Sequence, residues 1–370
     1  MRKPRAGAAP ANSQRNQTGL PRWTRARRRR CAAGASPHVL PLLLAVLTAF
    51  PFAGCGGPSE KKAGGYAVGL VFDVGGLGDK SFNDAAYAGL QRARDELKIS
   101  FEYFEPDQAT DREAALRILS RGRAELIIGV GFLFTDDIRQ VALEHPDKRF
   151  ACIDYTWNPG DSIPPNLVGI RFREEEGCFL VGAIAGLVSR TGTAGFIGGM
   201  DIPLINKFEA GFKAGFGQVR PEGRVLVNYA GVTGEAFKNP AKGKELALAQ
   251  MDGGADVLFH ASGSTGLGVF EAVRERDKLV IGVDADQSEL APEHCLTSMV
   301  KRVEVAVFDV VKRAQSGAFT AGILTEGLKE GGVDYIYSEQ NQRWITPEIR
   351  ARAEELRQQI IDGAIQVPSR

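Results

Sequence analysis

The sequence predicts an α/β protein of two lobes, each a parallel sheet flanked by helices. Two observations carry that reading. From about residue 66 onward, short apolar runs alternate with helix-period segments, the pattern of consecutive βαβ units. The alternation also comes in two series of the same order, offset by roughly 128 residues, which implies two similar lobes rather than one large sheet.

The first series begins with the apolar runs YAVGLVFD, ISFEYFE, ELIIGVG and RFACID, with helices starting near Phe82, Thr110 and Thr135. An apolar helix over 178–189 leads into the second series. Its strands are TAGFIGG, RVLVNYAG, DVLFHAS and LVIGVD, with helices over 205–218, 240–252 and 266–276. The tail adds a helix near 301–316, a strand VDYIYS and a helix opened by Thr346-Pro347, a natural cap and first-turn pair. These late elements are expected to return the chain to the first lobe and back. That gives lobe 1 as 66–170 with a return near 296–330, lobe 2 as 171–295 with a segment near 331–368, and a multi-strand hinge between them.

The N-terminal part differs in composition. Ten of the 46 Arg and Lys residues fall in residues 1–54, which hold no acid. The remaining 36 stand against 45 Asp and Glu, a net −9, so the body is a poor nucleic-acid binder. The run Arg27 to Arg30 precedes an apolar stretch over 39–52, too short for the roughly 20 residues of a membrane span. Basic residues before a short apolar stretch predict a signal peptide. Phe52-Ala53-Gly54-Cys55 resembles a bacterial lipobox, with Phe52 where leucine is usual, so Cys55 is expected to be lipidated. Residues 55–65 read as a flexible tether.

The body shows no catalytic apparatus. Cys152, Cys178 and Cys295 lack metal or redox spacing, and His38, His145, His260 and His294 are scattered. The loop FDVGGLGDKSFNDAAYAGL mimics two phosphate motifs and satisfies neither. A P-loop would need glycine at Val74 and Asp79, and a dinucleotide fingerprint would need it at Ser81. In doubly wound sheets ligands bind at the carboxyl ends of strands. The residues that follow the apolar runs there are Asp73, Phe82, Asn83, Asp154 and Asp284. An aromatic ring with carboxylates and an amide suits a planar, hydrogen-bonding ligand. No catalytic residue, metal or cofactor is expected; Asp284-x-Asp286 lacks the spaced oxygen ligands of a calcium loop.

DVGGLGDKSFN, GMDIPLINKFEAGFKAGF, GADVLFHASGSTGLGVFEA, GVDADQ and LTSMVKRVE occur in this order. Together they resemble the basic membrane protein family of bacterial lipoproteins, of the purine nucleoside receptor type, over roughly 66–368. The resemblance implies a type I periplasmic-binding fold with two Rossmann-like lobes. It implies a monomeric, lipid-anchored envelope protein facing the periplasm or the exterior, which captures nucleosides for an ABC permease and ATPase. By resemblance, Asp73 and Asn83 hydrogen-bond the base, which stacks between Phe82 and Phe208. Asp284 and Lys301 hold the ribose, and Asp154 faces the cleft near the hinge. A nucleoside-processing enzyme, or a surface antigen or signalling lipoprotein without a transport role, remains the alternative.

Overall fold

Runs of three to eight mostly apolar residues form two six-stranded sheets among the residues described by the computed structural model, 65–106 and 109–370. The expected signal peptide, Cys55 and tether residues 55–64 lie outside the described residues. Both sheets belong to one compact unit, Lys61–Arg370.

In the first sheet, β1 (Ala67–Val71) lies between β2 (Ser100–Phe104) and β3 (Leu126–Val130). The sheet continues through β4 (Arg149–Ile153) and β5 (Leu167–Phe172) to the late strand β11 (Gly322–Glu326), all parallel. The second sheet repeats this plan. There β6 (Thr193–Met200) lies between β7 (Arg224–Gly231) and β8 (Val257–Ala261), followed by β9 (Leu279–Asp284) and β10 (Cys295–Lys301). The late strand β12 (Val333–Tyr335) closes that edge and is antiparallel.

Helices α1 (Phe82–Leu97), α2 (Ala109–Arg121) and α3 (Thr135–Glu144) flank the first sheet. The long apolar helix α4 (Glu174–Val188) packs against α5 (Pro203–Val219) of the second lobe. It is buried on nearly every face, which is why its sequence carries no amphipathic stripe. The second lobe also holds α6 (Pro240–Asp252) and α7 (Gly266–Arg276). Helix α8 (Val303–Gln315) returns to pack on α1, and α9 (Pro347–Ile361) packs on α4.

The chain therefore crosses between lobes three times, at Arg173, at Arg302 and over 327–332. The crossings are bonded to one another. The Arg173 N–H donates to Glu326 O at 2.9 Å, and the Arg302 N–H donates to Gly332 O at 2.9 Å.

The structure corrects two expectations. Strands β5, β10 and β11 were not among the runs expected to form strands. Because β10 pairs with β9 through Val300↔Asp284, the chain leaves the second lobe after Lys301 rather than near 296. Lys301 therefore ends a strand instead of opening a helix; α8 starts at Val303. The valine stripe of α8 runs directly on from LTSMVK, so the periodicity there masks the boundary.

Candidate ligand cleft

The loop from β1 to α1 is held by carboxylates, Asp79 at its end near the helix and Asp84 and Glu105 before it. Asp79 accepts the backbone N–H groups of Ser81, Asn83 and Asp84 at 2.9, 2.8 and 3.1 Å, satisfying the open donors of the α1 N-terminus. It also accepts Asn83 Nδ2 at 3.1 Å. Asn83 Oδ1 is used as well, accepting the Asp73 N–H at 2.9 Å. Asn83 is thus fixed in orientation with one amide hydrogen and one lone pair of Oδ1 left over. Beside it, Asp73 Oδ1 accepts the Val74 N–H at 2.8 Å. Burial pushes the Asp73 carboxyl up to about 7, against the pull of that hydrogen bond and of Arg112.

Asp154 and Asp284 occupy matching places in the two lobes, following β4 and ending β9, the fourth strand of each series. Both have left-handed backbones, φ 60° and 64°. Few side chains tolerate that region, and Asp is one that does. The paired conformation places one carboxylate from each lobe in the cleft. Asp284 Oδ2 accepts the Ser81 hydroxyl at 2.6 Å, and burial raises this carboxyl to about 6.

Lys301, 1% exposed, lies where the two lobes meet. Its Nζ is 2.6 and 2.7 Å from the two Asp154 oxygens and 3.1 Å from Glu174 Oε1. Burial works to lower its pKa, but Asp154, Glu174 and Asp284 outweigh that and hold it charged well above the ordinary lysine range. Lys207 of α5 extends the chain of charges, donating to Glu174 Oε2 at 2.8 Å and to Phe172 O at 2.7 Å. Burial works to raise the Glu174 carboxyl, yet the two ammonium groups outweigh it and hold that group below its usual value.

The aromatic walls come from opposite lobes. Phe82, first residue of α1, and Phe208 of α5 place their ring centres 5.0 and 5.7 Å from Lys301 Nζ. Phe208 faces the cleft, while Phe212 and Phe216 of the same helix enter the core. Together these groups line one cavity between the lobes.

All seven residues named from sequence line this one cavity: Asp73, Phe82, Asn83, Asp154, Phe208, Asp284 and Lys301. Sequence reasoning missed Asp79 and Ser81, which orient Asn83 and Asp284, and Glu174, which pins Lys301. Asp79 carried a signal in its place just before a helix start. Glu174 carried none, because its partners are distant in sequence. The rings of Phe132 and Phe237, which line the cavity and meet edge-to-face from opposite lobes at 6.4 Å, were also missed. Among the described residues no group of His, Cys, Asp and Glu is placed to hold a metal ion, and no helix is long and apolar enough to cross a membrane.

Residues 67–370 match the family model Bmp, described as ABC transporter substrate-binding protein, PnrA-like. The chain belongs to the Bmp family. It is 34% identical to a CD4+ T-cell-stimulating antigen of Listeria innocua, over 90% of this chain and 98% of that one. It is 32% identical to basic membrane protein A of Borreliella burgdorferi, over 89% and 95% of the two chains. Among solved structures, an ABC transporter solute-binding protein of Aeropyrum pernix superposes with a TM-score of 0.76 at 31% identity, covering 82% of this chain and 94% of that one. The lac repressor, at 15% identity and a TM-score of 0.53 over 75% of this chain and 94% of that one, shares the fold alone. The architecture is the type I periplasmic-binding-protein fold. As a Bmp-family ABC substrate-binding protein, the chain takes a small-molecule ligand and works with a transporter. The family and the Aeropyrum pernix structure point to solute binding rather than catalysis.

Proposed function

We propose that this Bmp-family protein captures purine nucleosides between its lobes and delivers them to an ABC importer from a lipid anchor at Cys55. The observation that supports the ligand most is the placing of Phe82 and Phe208, one ring from each lobe, around the same buried ammonium. A planar base between them gains roughly 1–3 kcal/mol per stacking contact. Asn83 offers a donor and Asp73 a titratable carboxyl to the base edge. Asp284 and Lys301 offer an acceptor and a donor to sugar hydroxyls, and Asp154 holds Lys301 in place.

The same carboxylates argue against phosphate esters. Asp73, Asp154 and Asp284 share the cavity with one lysine, Lys301, so an added phosphate meets net repulsion. Calorimetry should therefore show purine nucleosides binding far better than their 5′-monophosphates, and mass spectrometry of ligand released from the denatured protein should find a nucleoside. Equal or tighter binding of the monophosphate would remove this reading. For the anchor, Cys55→Ala should leave an uncleaved precursor or release a soluble form; membrane retention of a fully cleaved variant would count against lipidation.

A further inference from the structure

We propose that Ser262 contacts the ligand directly, its hydroxyl and the free oxygen of Asp284 binding two adjacent hydroxyls of a sugar. The inference rests on the nucleoside reading and adds a residue to it. Ser262 follows β8 and lines the cavity. It is 1% exposed, yet its Oγ has no hydrogen-bond partner. A buried hydroxyl left unpaired is a standing cost, and natural proteins seldom carry one without a reason. The backbone of the residue is accounted for separately, since Ser262 O accepts the Thr265 N–H at 3.1 Å. The hydroxyl alone lacks a role within the protein.

Register decides what stands next to it. β8 and β9 pair in parallel as Val257↔Leu279, Leu258↔Val280 and Phe259↔Ile281. Ser262, just past the end of β8, and Asp284, at the end of β9, therefore sit at the ends of neighbouring strands, and both line the same cavity. Asp284 gives one oxygen to Ser81 and keeps the other. A carboxylate oxygen only accepts while charged, whereas a serine hydroxyl both donates and accepts. Side by side they complement a pair of neighbouring hydroxyls, one donating to Asp284 and the other bonded to Ser262. A flat base edge presents no such pair, but a ribose does.

The test titrates ligand-stripped wild type and Ser262→Ala with guanosine, 2′-deoxyguanosine, 3′-deoxyguanosine and guanine. The variant should lose roughly fivefold to tenfold in guanosine affinity, the worth of one neutral hydrogen bond. One of the two deoxy compounds should bind wild type and variant equally, since it lacks the hydroxyl that Ser262 holds, and guanine should not distinguish them. Ligand-free melting should not fall, because Ser262 Oγ bonds nothing in the protein. Unchanged guanosine affinity in the variant would overturn the proposal, and so would an equal loss for all four compounds. If wild type itself bound none of the nucleosides, the nucleoside reading would fail first and carry this assignment with it.

Discussion

Asp284 combines a left-handed backbone, a buried carboxyl and a hydroxyl partner from the other lobe. Burial raises its pKa from an ordinary 3.8 to about 6, so the folded chain binds this proton more tightly than the unfolded one. The resulting stabilisation is complete below the unfolded value and is lost as pH rises through about 6. Asp284→Asn has no proton to lose. Its advantage over wild type in ligand-free melting should therefore grow between about pH 4 and pH 8, by about 2 kcal/mol for a two-unit shift. A difference that stays constant with pH would show that burial does not control this group. The site residues that position alone could name are those following strand ends or opening a helix, while Phe208 and Lys301 came only through the family resemblance. Ser81, Glu174, Lys207 and Ser262 were illegible because their meaning comes from partners in another lobe or on a neighbouring strand.

The pairing of α4 with α5 is tight enough to depend on the absence of side chains. A Cβ on Gly215 of α5 would stand 1.9 Å from Phe179 O of α4, and one on Gly211 would stand 2.2 Å from Glu175 O. Gly217, two residues on from Gly215, faces open space. Gly215→Ala should therefore destabilise the protein by about 3 kcal/mol, at the upper end of overpacking costs. Gly217→Ala should stabilise it by roughly 0.5–1 kcal/mol through helix propensity. Denaturant unfolding of the two variants checks both signs, and similar behaviour would mean that α5 does not approach α4 so closely. Gly215→Ala should also weaken ligand binding, since α5 carries Phe208 and Lys207. At this scale the sequence was legible at most apolar runs bounded by polar turns, although it missed β5. It failed at β10, where Thr297 and Ser298 interrupt the apolar run and a helical stripe begins immediately afterwards.

The two lobes are drawn together by contacts between their rims. Gln287 of the second lobe donates from Nε2 to Lys80 O of the first at 2.9 Å. Its Oε1 accepts the Val283 N–H at 2.9 Å and lies 3.1 Å from His260 Nε2. Burial lowers the His260 pKa to about 4, so at neutral pH the ring is uncharged and its Nε2–H is the donor to Gln287. Gln287→Glu keeps both acceptor contacts but sets an oxygen against the Lys80 carbonyl. At pH 8 the ligand-free variant should be more expanded by small-angle scattering and should release ligand faster, with affinity down roughly fivefold to tenfold by population shift. Identical scattering profiles would remove Gln287 as a closing contact. The repeated strand order was visible in sequence as two similar series and the return of the tail to the first lobe and back was expected, but the places of the crossings were not legible, because β11 is short and β10 runs straight into the stripe of α8. That triple crossing governs how the molecule can move. A single linker would behave as a ball joint, free to swivel and twist. Three bonded crossings side by side act as a door hinge, leaving one easy rotation and resisting the others. A transporter that touches both lobes then reads a single quantity, the opening angle, and can register a loaded cleft without meeting the cargo.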